Sequence, residues 1–122
     1  LGIVPGFNGT QRLPKCIGMN KAKEILFTGK MLTAADALEL GILKHVTEPE
    51  QLMDEVYAMA GQIADNSASA ISLVKAAVNA GADMDIDIGK NIELGYMAAC
   101  FGTPDQIEGF ASFKEKRAAK FR

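Results

Sequence analysis

The 122-residue chain is 48% apolar and 23% charged, a globular composition that excludes a disordered polypeptide. Its formal net charge of −2 argues against a general nucleic-acid binder, and no apolar run approaches the ~18 residues that a membrane span needs. Cys16 and Cys100 lack metal-ligand spacing and a histidine neighbour, which is the usage expected of reduced thiols in a cytoplasmic protein.

Residues 1–13 form a loop with glycines at 2, 6 and 9 and a proline at 5, running into a polar helical segment. Glycines let a backbone approach a ligand closely, and Pro5 fixes one φ angle. Asn20 is positioned to cap a helix over 21–28 that Gly29 stops. Thr33 and Asp36 have the spacing of a capping box, with Asp in place of Glu, and Gly41 closes the short helix that follows. The run 42–46, which includes the single His45, reads as the one strand of the chain.

The next helix starts near Pro49, and Leu52, Val56, Met59 and Ile63 recur at helical spacing on one face. Asn66 and Ser67 break it and cap another, whose stripe is Ile71, Val74 and Val78 and whose stop is Gly81. A long helix over 84–101 carries Met84, Ile88, Ile92, Tyr96 and Ala99 on one face. Its Gly89 and Gly95 predict close packing against a neighbour, because each costs about 1 kcal/mol against Ala. Thr103, Pro104 and Gln106 open the last helix, and Ile107, Phe110 and Phe113 are its apolar side. The chain is therefore expected to be mainly α, with five or six helices and one short strand.

Three places could carry chemistry. The amides of Gly6 to Thr10 precede a helix and could hold an anion or a water, although a plain turn explains them equally well. The tail carries Lys114, Lys116, Arg117, Lys120 and Arg122 against one acid, Glu115. It reads either as compensation of a helix dipole or as a phosphate site with Phe110 or Phe113 beside it. Met97 and Phe101 are core residues or the lining of an apolar pocket. Asp83, Asp85 and Asp87 stand at a helix start, where acids are favoured, and read as a solvated face.

Residues 5–13, Pro-Gly-Phe-Asn-Gly-Thr-Gln-Arg-Leu, closely resemble a signature segment of the enoyl-CoA hydratase (crotonase) family. Residues 24–29, 33–43 and 110–117 resemble three further family segments in the same order and spacing. The resemblance implies the C-terminal part of an α/β spiral of ββα units, with residues 1–48 ending the spiral and 49–122 forming its helical trimerisation region. It implies reversible hydration of short-chain 2-enoyl-CoA, with acyl-CoA as substrate, no separate cofactor, and assembly as a homotrimer or hexamer. The family's two catalytic glutamates and its oxyanion hole would lie outside this chain, so the chain alone is expected to be inactive. Gly6 matches the glycine whose N–H orients the catalytic water. Lys116 matches a lysine that meets a CoA phosphate, Phe113 an aromatic near the adenine, and Met97 a residue at the acyl tail. Asn8 stands where the family has glycine, and asparagine tolerates positive φ better than most residues. Enoyl-CoA isomerase activity, an oligomerisation module without activity, and an unrelated phosphate-binding helical domain are the competing readings.

Overall fold

The computed structural model describes residues 1–121. These contain seven helices and no strand: α1 (Gly9–Ile17), α2 (Met19–Thr28), α3 (Ala34–Glu39), α4 (Leu52–Ala64), α5 (Ala68–Gly81), α6 (Ile86–Cys100) and α7 (Pro104–Glu115). A 3₁₀ turn, Pro49–Gln51, leads into α4. The chain divides into two units, Leu1–Leu52 and Met53–Arg122.

In the first unit, Asn8 opens α1 in the left-handed conformation, with φ 66°. Its carbonyl accepts the N–H groups of Gln11 and Arg12 at 3.0 and 2.8 Å. Asparagine thus performs the turn that usually falls to glycine. Gly18, at φ 84°, ends α1 and starts α2. The first bond of α2 runs from Ala22 N–H to Gly18 C=O at 3.1 Å, so the helix begins two residues before the start expected from Asn20. Gly29 closes α2 at φ 64°, donating to Ile25 C=O.

The capping box on α3 forms in both directions. Asp36 N–H donates to Thr33 Oγ1 at 3.1 Å, and Thr33 N–H donates to Asp36 Oδ2 at 2.9 Å. Those Thr33 donors hold the Asp36 carboxyl below the usual carboxylate range. The strand expected over 42–46 does not form. Gly41 turns the chain at φ 78°, and the N–H groups of Ile42 and Leu43 both fold back onto Ala37 C=O. An extended segment becomes a strand only when a second one pairs with it, and none among the described residues does. Ala22 and Ala37 are the buried apolar residues of this unit.

The second unit is helix upon helix. Asn66 closes α4 by donating its side-chain amide to Gln62 C=O, and Ser67 alone caps α5 by accepting from Ala70 N–H. Helices α5 and α6 pack against one another, and a Cβ on Gly81 would lie 3.7 Å from Gly89 Cα. A Cβ on Gly89 would itself lie 4.0 Å from Gly81 C=O, an ordinary contact, so the packing places a neighbour at Gly89 without requiring glycine there. The close packing expected at Gly95 is absent, since a Cβ there would meet nothing within 4 Å. The expected stripe of α5 is also displaced. Ile71, Val74 and Val78 remain exposed, while Leu73, Ala76, Ala77 and Ala80 are half-buried. Small side chains allow the shorter interaxial distance, so the alanines rather than the β-branched residues take the packed face.

Asp85 caps α6 by accepting from Asp87 N–H, and Asp87 pairs with Lys90 at 3.0 Å in an exposed ion pair. The acidic run is thus a helix start. Thr103 caps α7, and Gln106 reaches back to Gly102 N–H instead of Thr103 N–H, one residue beyond the ordinary box.

Gly95→Ala in the 122-residue chain is expected to raise unfolding stability by about 0.8 kcal/mol, because the helix gains propensity and the methyl meets open space. A urea midpoint that falls instead would reveal a surface packed against Gly95.

Candidate functional site

Five successive amides, Gly6 to Thr10, donate to no protein acceptor among the described residues. Two of them are the ordinary unpaired donors at the start of α1. Gly9 is tightly placed, since a Cβ there would lie 3.0 Å from Pro5 Cβ and the proline ring would have to give by a few tenths of an ångström. Gly6 is not, since its nearest neighbour would be Val4 C=O at 3.9 Å. The turn therefore offers a short row of exposed backbone donors suited to an anion or an oriented water.

The second unit carries an apolar groove of about 490 Å³ where the start of α5, the end of α6 and α7 meet. Phe110, Phe113 and Phe121 line it, with Cys100 on one side and Ser67, Ser69 and Asp105 at its polar end. Asp105 and Ser67 are 8% and 6% exposed. Ser67 Oγ donates to Asp105 Oδ2 at 2.6 Å, and Ser69 Oγ lies 3.3 Å from the same oxygen. The single Ser67 proton is committed to the carboxylate, so Ser69 is the donor in the 2.9 Å contact between the hydroxyls. A buried carboxylate so engaged ties the start of α7 to the start of α5.

A second polar cluster locks the end of α7. Lys116 terminates the helix in the left-handed conformation, φ 54°, which costs a lysine on the order of 1 kcal/mol. The next residue returns along the helix. Arg117 grips Glu108 through Nη1 and Nη2 at 2.5 and 2.9 Å, and its Nε donates to Glu115 at 2.6 Å. Lys120 N–H donates to Glu108 Oε1 at 2.7 Å, and Phe121 comes close enough to Gly109 that a Cβ there would touch its ring. The Arg117 fork, with the Lys120 amide, lowers the Glu108 pKa to about 2. Glu108 and Glu115 raise that of Arg117.

This clasp divides the basic tail. Arg117 is occupied by two carboxylates, so it does not belong to an open phosphate patch. Lys114 and Lys116 make no ion pair among the described residues. Arg122 lies outside the described residues. Phe113 is 87% exposed at the groove. Met97 lines a separate apolar groove of about 240 Å³ between α5 and α6, with Leu73, Val74, Ala77 and Tyr96. Cys100 borders both grooves, and both cysteines are free thiols. Phe113 and Met97 thus face two neighbouring depressions, and Lys116 follows at the end of the α7 that carries Phe113. His45 is exposed, and no group of three or more metal-ligating side chains occurs among the described residues. Among the described residues, no helix is long and apolar enough to cross a membrane. The Ser67–Asp105 anchor and the Glu108–Arg117 clasp escape a reading of the sequence, because their partners stand 38 and 9 residues apart.

The family model for enoyl-CoA hydratase/isomerase matches residues 1–122. A crotonyl-CoA hydratase of Syntrophomonas wolfei is 45% identical over 121 residues, which is 99% of this chain and 46% of that protein. A short-chain-enoyl-CoA hydratase of Clostridioides difficile is 45% identical over 114 residues, covering 93% of this chain and 74% of that sequence. The crystal structure of an enoyl-CoA hydratase from Bacillus anthracis superposes with a TM-score of 0.92 at 36% identity, over 98% of this chain and 46% of that one. The chain spans about half the length of the Syntrophomonas and Bacillus proteins. It corresponds to the helical C-terminal part of that crotonase-type fold.

Two outcomes follow from the polar clusters. Ser67→Ala removes both the α5 cap and a bond to a buried carboxylate, so it is expected to destabilise the second unit by about 2 kcal/mol in urea unfolding. Glu108 has a folded pKa depressed from 4.5 to about 2, so the clasp contributes fully above the unfolded value and is lost as pH falls through that window. Carboxyl NMR should place the Glu108 midpoint near 2, and Arg117→Ala should return it towards 4.5.

Proposed function

The chain belongs to the enoyl-CoA hydratase/isomerase family, and on that premise we propose that it is the C-terminal part of an enzyme that reversibly hydrates short-chain 2-enoyl-CoA to 3-hydroxyacyl-CoA. The observation that carries the substrate class is the 45% identity to proteins named crotonyl-CoA and short-chain-enoyl-CoA hydratase. Hydration across a conjugated double bond needs an acid–base pair aimed at water and at the α-carbon. It also needs donors for the thioester oxygen as enolate charge develops. In this proposal those groups belong to the half of the enzyme that this chain does not match.

The chain then supplies walls and anchors. The Gly6 amide holds the attacking water, Met97 lines the acyl tail, Phe113 stacks near the adenine and Lys116 meets a CoA phosphate. Coenzyme A enters with the substrate, and no separate cofactor is used. The working enzyme is a cytoplasmic homotrimer or hexamer. The hydratase names of the relatives favour hydration over double-bond isomerisation.

A second reading, an oligomerisation module without activity, is favoured by one observation. Leu52, Val56, Met59 and Ile63 of α4 share a face and are all about half exposed. The two readings divide on ligand binding. The 122-residue chain is expected to leave the enoyl absorbance of crotonyl-CoA unchanged, yet to bind coenzyme A more tightly than inorganic phosphate in calorimetric titration. Equal affinity for the two would support a generic phosphate-binding domain. Binding of neither would support the oligomerisation module, and turnover free of contaminating enzyme would refute the assignment of the acid–base groups elsewhere.

A further inference from the structure

Lys116 has an unusual backbone for its residue type. It is one of two non-glycine residues with positive φ among the described residues, the other being Asn8. Asparagine accepts that conformation readily, whereas a lysine holds it only where its surroundings fix the chain on both sides. Before Lys116 the chain is fixed by α7 itself, through the bond from Lys116 N–H to Phe113 C=O at 3.3 Å. After it, the chain is fixed by three contacts that converge on one flank of α7. Arg117 N–H donates to Ser112 C=O at 3.0 Å, the Arg117 fork closes on Glu108, and Lys120 N–H caps the same carboxylate. Ser112, at 4% exposed, is among the most buried residues of the chain, so the flank is a firm base. Arg117 is the side-chain cation that this return consumes, and the Lys116 ammonium, which opens it, has no acidic partner among the described residues.

We infer that Glu108 and Arg117 are positioning residues for Lys116: their forked pair folds the tail back along α7, holds residue 116 in its left-handed turn and presents its ammonium to a phosphate of the ligand. The inference rests on the proposed reading of Lys116 as the phosphate-contacting residue and adds the device that orients it. Arginine is required at 117 because a planar guanidinium engages both carboxylate oxygens of Glu108 and still reaches Glu115, whereas a lysine offers a single point charge. The clasp also places the most strongly paired cation of the tail, Arg117, directly beside the unpaired Lys116. A carboxylate that drew both would neutralise the site, and the fork commits Glu108 to Arg117.

The test is a double-mutant cycle on the 122-residue chain, titrated with coenzyme A by calorimetry, with helicity monitored by circular dichroism. Lys116→Ala is expected to weaken binding by roughly tenfold, the scale of one charge-assisted contact. Glu108→Gln is expected to weaken it by about threefold to tenfold when Lys116 is present and to have no effect in the Lys116→Ala background. Arg117→Lys, which keeps the charge and loses the fork, should reproduce the Glu108→Gln loss, and it carries the test if Glu108→Gln loses helicity. Full affinity in Glu108→Gln or Arg117→Lys, alongside a weakened Lys116→Ala, would overturn the positioning role while leaving Lys116 as a ligand contact. An equal loss from Glu108→Gln in both backgrounds would overturn it as well, since the effect would not pass through Lys116. Unchanged binding by Lys116→Ala would overturn the phosphate-contact reading itself.

Discussion

One buried carboxylate organises the second unit. Asp105 lies in the first turn of α7 and accepts the Ser67 hydroxyl at the start of α5, with the Ser69 hydroxyl beside it. Two helix N-termini, each carrying partial positive charge, therefore converge on a single anion. The site is nearly closed to solvent, so the geometry is strict: a carboxylate withdrawn from water must keep its donors. That junction fixes the direction in which α7 leaves α5. The direction of α7 in turn sets where Phe113 faces the groove and where the chain turns at Lys116. The candidate site at one end of α7 is thus anchored by a polar contact at the other.

Apolar packing adds less than the composition suggests. Ala22 and Ala37 are the only buried apolar residues among those described, while Val56, Met59, Ile63, Phe110 and Phe113 all stay exposed. The helices are held instead by their ends: the Thr33–Asp36 box, the Ser67 and Thr103 caps, and left-handed glycines at 18, 29 and 41. Such ends contribute about 1 kcal/mol each, which fixes where helices start and stop more firmly than it fixes how they pack. The large exposed residues are then available as contact surface. This agrees with a chain that spans about half the length of the relatives it matches.

Local chemistry was legible in the sequence. Thr33 with Asp36, Gly29, Ser67 and Thr103 all mark boundaries that the structure keeps, because caps and left-handed turns depend on residues within three or four positions. Asn8 takes the positive φ that its side chain permits. The failures share one cause, which is dependence on distant partners. Residues 42–46 have strand composition but no strand beside them, and Ile71, Val74 and Val78 have helical spacing but lose the α6 face to smaller neighbours. The candidate site divides the same way. Gly6, Met97, Phe113 and Lys116 came from resemblance, whereas Asp105, Glu108 and the engagement of Arg117 depend on contacts no short motif encodes.

The central claim is that this chain presents a coenzyme A-binding surface built at the end of α7, without the acid–base groups of hydration. Amide hydrogen exchange of the 122-residue chain with and without coenzyme A tests it most directly. The account predicts slower exchange over 112–120 when coenzyme A is present, with the acidic start of α6 unchanged. Uniform exchange in both samples, or protection confined to α4, would contradict it.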